Sequence, residues 1–235
     1  MSLAWRPIAT VAAPLFLPSK GQPMRIYLDD LETSLRATSV GGALQSAASV
    51  VEQAGRMIVE VSVDGVAWNE EDLATASYAE RSAGEIRLVT AHPAELLRDT
   101  CMHAADAVLN ADDMQRNAAT LLQSNRTKEG LDALLQSLAV WGSVQTAVSR
   151  GLALGVLSRE SLAAQSVDIE GAIQALDRQL RTVRDAMSNG DQTALADTLL
   201  YEFPQVAKQF ATMLVSLANE CARVLTSGAN TTRAV

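Results

Sequence analysis

The hydrophobic period of this chain changes once, at Pro93, and that change limits what it can fold into. From Met24 to Ala91 apolar residues alternate in short runs such as "MRIYLD", "RMIVEVSV" and "GEIRLVTA". Alternation at every second residue puts one face of a strand on a core and the other in water. Beyond Pro93 apolar residues recur every three or four positions, the spacing of one helix face. Two patterns in separate blocks predict an α+β protein, its sheet built first and its helices afterwards.

Local signals order the first block. Asp29-Asp30 reads as a turn, with "LETSLRA" returning as a second strand. Ser39 is placed to cap a helix whose Val40, Leu44, Ala47 and Val51 share a face, and Gly55 suits its end. Asp64-Gly65 is a tight hairpin turn after Ile58, Val59, Val61 and Val63. Asn69 caps a short helical turn, and "GEIRLVTA" is the last strand.

The resulting order is strand, strand, helix, strand, short strand, helical turn, strand. With "MRIY" at the start, "VDGVAW" in the middle and "EEDLATASYAERSAGEIRLV" at the end, residues 24–91 resemble the ubiquitin-like β-grasp fold. The resemblance implies a fold and carries no activity. Conjugated and sulfur-carrying members end in a free Gly-Gly tail, whereas this strand runs on through "TAHPAELL", so neither role is expected.

The second block, 92–228, reads as a long antiparallel four-helix bundle, followed by a flexible tail at 229–235. Pro93 starts the first helix, with Leu97, Cys101, Ala104, Val108, Ala111, Ala118 and Leu122 on one stripe. The second spans about 128–157. The third carries Ile169, Ile173, Leu176, Leu180, Val183 and Met187, and Gly190-Asp191 separates it from the fourth. There Leu195, Leu199, Phe203, Val206, Phe210, Leu217, Cys221 and Val224 keep phase through Pro204, which predicts a kinked helix rather than two. Residues 1–23 are Pro-rich and read as an arm, or as translation begun upstream of a native start at Met24.

Composition removes several functions. A net charge of -8 and the lack of any basic run argue against nucleic acid. Arg178, Arg181 and Arg184 alternate with Asp177 and Asp185, the pattern of a self-paired solvent face. Phosphate-loop, nucleophile-elbow, zinc-protease and calcium-loop motifs are missing, so no cofactor, metal or catalytic residue is expected. Cys101 and Cys221 fall on apolar stripes, a usage that suits the cytoplasm. Two polar groupings remain as an alternative site for a small enzyme or ligand sensor. Asp99, His103 and Asp106 share the face of their helix opposite Leu97, and Tyr201 and Glu202 lie beside Pro204.

The run "LLQSLAVWGSVQTAVSRGLALGVL", residues 134–157, holds one charged side chain, Arg150. A central Arg among Gln, Ser and Thr makes a poor membrane span. Counting leucines places Leu131, Leu135, Leu138, Gly142 and Leu152 on the core. A second stripe of Val140, Val144, Ala147, Gly151 and Leu154 is then surplus and needs a cover. The expected function is a non-catalytic protein-protein interaction or adaptor module, self-associating as a homodimer through this helix. A chaperone-like adaptor for secreted or flagellar subunits is a further alternative, by analogy with acidic helical bundles.

Overall fold

The computed structural model describes residues 24–74, 79–157 and 168–232. The Pro-rich 1–23 and the linker at 158–167 lie outside the described residues. The chain divides into two compact units, 1–91 and 92–235.

The first unit contains β1 (Arg25–Leu28), β2 (Leu31–Glu32), α1 (Val40–Gln53), β3 (Met57–Val63), β4 (Val66–Trp68), α2 (Glu70–Ala74) and β5 (Glu85–Ala91). They form a five-stranded mixed sheet in the order β2-β1-β5-β3-β4, with β1 parallel to β5 and the other pairs antiparallel. Ile26, Val61, Val63, Ile86 and Leu88 alternate onto one face and bury against Val40, Ala43 and Ala47 of α1. Ser39 Oγ accepts the Gly42 N–H at 3.2 Å, and Gly55 closes α1 with φ 68°. Asp64 (φ 49°) and Gly65 (φ 80°) turn the β3–β4 hairpin. Asn69 and Asp72 cap α2 reciprocally, at 2.9 and 3.0 Å. The expected second strand is only two residues long, and just past it the Thr33 N–H and hydroxyl both donate to the Ile26 carbonyl.

One end of the sheet is clamped by polar side chains. Asp29 accepts the Thr90 N–H and hydroxyl, both at 2.7 Å. Arg56 donates to Thr90 Oγ1 at 2.7 Å and to the Thr90 carbonyl at 2.8 Å. These bonds from Thr90, with the Arg56 charge, hold the Asp29 carboxyl below its usual range.

The second unit holds four long helices: α3 (Pro93–Gln123), α4 (Thr127–Ala153), α5 (Ile169–Asn189) and, after the short α6 (Gln192–Asp197), α7 (Phe203–Thr232). α3 is the central element and packs closely along both α4 and α7, while α5 lies against α7. Leu97, Cys101, Ala104, Val108, Ala111, Ala118 and Leu122 are all buried, as their stripe predicts. Asp168 and Asp191 cap α5 and α6, and Gly190 ends α5 with φ 66°. Three boundaries differ from the sequence reading. α4 stops at Ala153, and Gly155 (φ 68°) lies past its end. The expected kink at Pro204 is a π-helical turn, Thr198–Glu202, which carries the apolar phase past the proline. Finally, α7 runs to Thr232, into the segment expected to be a tail.

Candidate functional site

The residues of α4 set its orientation. Its buried line is Gly130, Leu134, Ser137, Trp141, Val144, Val148 and Gly151. Trp141 fills the space toward α7, edge-on to Phe203 (5.8 Å) and Phe210 (5.4 Å). Gly130 and Gly151 bring α3 close at the two ends. A Cβ on Gly130 would lie 2.8 Å from Leu122 Cγ, and one on Gly151 would lie 2.6 Å from Leu97 Cδ1.

That line corrects the two stripes read from sequence. Of the expected core stripe, Leu135 is 56% exposed and Gly142 is exposed, while Leu131, Leu138 and Leu152 are half-buried. Of the expected docking stripe, Val144 and Gly151 lie in the core, Val140 is half-buried, and Ala147 and Leu154 are exposed. The core line falls between the two, rotated by about 100°, one residue's step, from the leucine count. Trp141 and the two glycines decide this: the indole needs depth, and the glycines are where α3 fits. The cover for Val144 and Gly151 is therefore the helical unit itself.

The outward face of α4 is the feature that the leucine count missed. From Ala133 to Ser149 it carries no charge, and Leu135, Gln136, Ala139, Gly142, Ser143, Thr146 and Ala147 are exposed. Ala139, Gly142, Ser143, Thr146, Ala147 and Arg150 line a shallow depression of about 600 Å³. The Ser143 and Thr146 hydroxyls donate to the carbonyls of Ala139 (3.0 Å) and Gly142 (2.9 Å), so their protons are already committed. Nothing lies within 4 Å of where a Cβ on Gly142 would stand. A mid-helix glycine costs roughly 0.5–1 kcal/mol relative to alanine, and no contact inside the chain calls for this one. At 100° per residue, Asp132 and Arg150 both lie about 180° from Trp141, at the two ends of the uncharged face.

The polar alternatives are placed apart from this face. Asp99, His103 and Asp106 are exposed on α3, and Asp99 is held by Arg98 at 2.9 Å. Among the described residues no group of three or more His, Cys, Asp or Glu is arranged to hold a metal ion. Tyr201 (67% exposed) and Glu202 ride on the outside of the π turn. Cys101 and Cys221 are free and buried, their thiols pushed up to about 12 and about 11, chiefly by burial. At those values they are protonated and inert at neutral pH.

The sheet unit has its own groove of about 720 Å³ between α1 and the β3–β4 edge. Leu44, Ile58, Val61, Trp68 and Leu73 line it, and among the described residues no titratable group does. Within the helical unit Gln115 is fully buried, with neither amide atom hydrogen-bonded, and Trp141 Nε1 likewise has no partner among the described residues. The α3 stripe passes through position 115 between Ala111 and Ala118, so its burial was legible from the spacing. None of the described helices is long and apolar enough to cross a membrane. The chain matches no family model, no curated protein and no solved structure.

Proposed function

We propose that the chain is a non-catalytic protein-protein interaction module whose docking surface is the outward face of α4. The observation that carries this reading is an uncharged, small-residue helix face with Gly142 in open space. A water-facing helix gains solubility from charges and helicity from alanine, and this face forgoes both along its middle turns. A cytoplasmic setting fits the two free, buried thiols.

The sheet unit is, in the same proposal, a β-grasp domain of the ubiquitin-like kind. Its strand order, with β1 parallel to β5 and α1 packed on one face, supports that reading. The fold supplies a second surface and no chemistry.

The test is Ser143→Arg. The side chain is exposed, so the variant should keep the circular dichroism spectrum and unfolding midpoint of the native chain. It should also lose the chain's association with its protein partner, measured by light scattering and by cross-linking in native extract. Unchanged association would overturn the proposal.

A further inference from the structure

We propose that the occupant of this face is the α4 of a second copy of the chain, packed antiparallel about a two-fold axis level with Trp141. This rests on the interaction reading above and names its partner. An interface between identical copies must be self-complementary, because every contact across the axis occurs twice. Asp132 and Arg150 meet that condition. They are opposite in sign, equidistant from Trp141 along the helix, and on the same outward line.

Both charges are free for the role. Arg98, Arg116, Arg126, Arg181, Arg184 and Arg223 each hold a carboxylate on a near neighbour in sequence. Asp132 and Arg150 are exposed, and neither side chain has a hydrogen bond or ion pair among the described residues. Antiparallel packing sets Asp132 against the partner's Arg150, and Arg150 against the partner's Asp132. Parallel packing would instead set Asp132 against the partner's Asp132, a repulsive arrangement.

The surface between the two charges suits a close approach. In this register Ala139 lies level with the partner's Ser143, Leu135 packs beside the partner's Thr146, and Gln136 beside the partner's Ala147. Small side chains allow helix axes to come within about 8 Å of each other. Gly142, in open space within one copy, lies on the same side of the seam as the partner's Gly142, close to the axis. The contact spans five turns, about 27 Å. One helix pair of that length stays below the ~1,200 Å² of a standard interface, so the dimer is weak and concentration-dependent.

Sedimentation velocity on the full chain, from about 1 to about 500 µM, should show a monomer–dimer equilibrium with micromolar dissociation. Asp132→Arg and Arg150→Asp, made singly, each place like charges across the axis twice and should weaken the dimer by about tenfold. The penalty should shrink as salt is raised. The double variant Asp132→Arg/Arg150→Asp restores opposite charges in the same register and should recover the dimer to within about threefold. A wild-type monomer over the whole range overturns the proposal, and so does a double variant as weak as the singles. If the wild type stays monomeric while Ser143→Arg still abolishes a protein association, the interaction reading survives and only the second-copy occupant falls. If Ser143→Arg changes neither dimer nor partner, the interaction reading itself falls.

Discussion

α4 and α5 are both long helices of one unit, and their outer faces are built on opposite rules. α5 exposes Glu170, Asp177, Arg178, Arg181, Arg184 and Asp185, and ties Arg181 to Asp177 at 2.7 Å and Arg184 to Asp185 at 3.0 Å. Charges of both signs, paired along one helix, keep that surface hydrated and discourage contact. Between Asp132 and Arg150, α4 exposes only uncharged side chains, alanine, glycine, serine, threonine, glutamine and Leu135. Both inner faces are ordinary: Ala172, Ala175, Leu176, Val183 and Ala186 on α5, and Leu134, Trp141, Val144 and Val148 on α4. The difference teaches that the low charge of 134–157 is a property of the helix's outside.

The largest expected effect separates the two faces of α4. Val144 is 5% exposed, whereas the adjacent Ser143 is exposed. Val144→Glu buries an unpaired carboxylate and should destabilise the chain by about 3–5 kcal/mol in urea unfolding at neutral pH. Burial raises the folded-state pKa of that new carboxyl above its unfolded value. The penalty therefore grows as pH rises through the interval between the two, and fades below it. If Val144→Glu unfolded no more easily than Ser143→Arg, the two faces of the helix would have been assigned the wrong way round.

Trp141 should come next. It touches Phe203 and Phe210 and sits 3% exposed, so Trp141→Ala should cost about 3–5 kcal/mol through lost burial and the cavity left behind. Gln115 should move stability the other way. Its amide is buried without partners, and an apolar side chain of similar volume avoids that desolvation. Gln115→Leu should raise stability by about 1–3 kcal/mol, read from the unfolding midpoint. A loss of stability would mean that ordered water satisfies the amide.

What was legible in the sequence was mostly local. Caps at Ser39, Asn69 and Asp191 and stops at Gly55 and Gly190 act within one turn, so the residue type alone locates them. The α3 stripe was legible because a central helix buries a broad face on two neighbours. The phase of α4 was not, because it depends on Phe203 and Phe210, which are remote in sequence and adjacent only after folding. Leucines spread over both sides of α4, and counting them gave Val144 and Gly151 to the wrong face. The outward face of α4, the proposed docking surface, was hidden for a related reason: it is marked by missing charge and by small residues, and neither raises a hydrophobic signal.

The smallest effects give the finest test, since α4 carries three glycines in three environments. A Cβ on Gly130 would meet Leu122 Cγ at 2.8 Å and the Ala118 carbonyl at 3.1 Å, and a backbone carbonyl cannot step aside cheaply. Gly130→Ala should therefore destabilise by about 1–2 kcal/mol despite its better helix propensity. At Gly151 the obstacle at 2.6 Å is the tip of Leu97, which can change rotamer. Strain and propensity there should nearly cancel, leaving a change within about 0.5 kcal/mol. A Cβ on Gly142 would meet no described atom of another part of the chain within 4 Å. Gly142→Ala should thus gain about 0.5–1 kcal/mol in the dilute monomer, from helix propensity alone. At concentrations where copies associate, the same methyl group stands in the contact between helices, and the gain should shrink or reverse. Thermal unfolding of the three variants at two concentrations tests the ordering. A gain at Gly142 independent of concentration would leave the outward face of α4 no different in kind from that of α5.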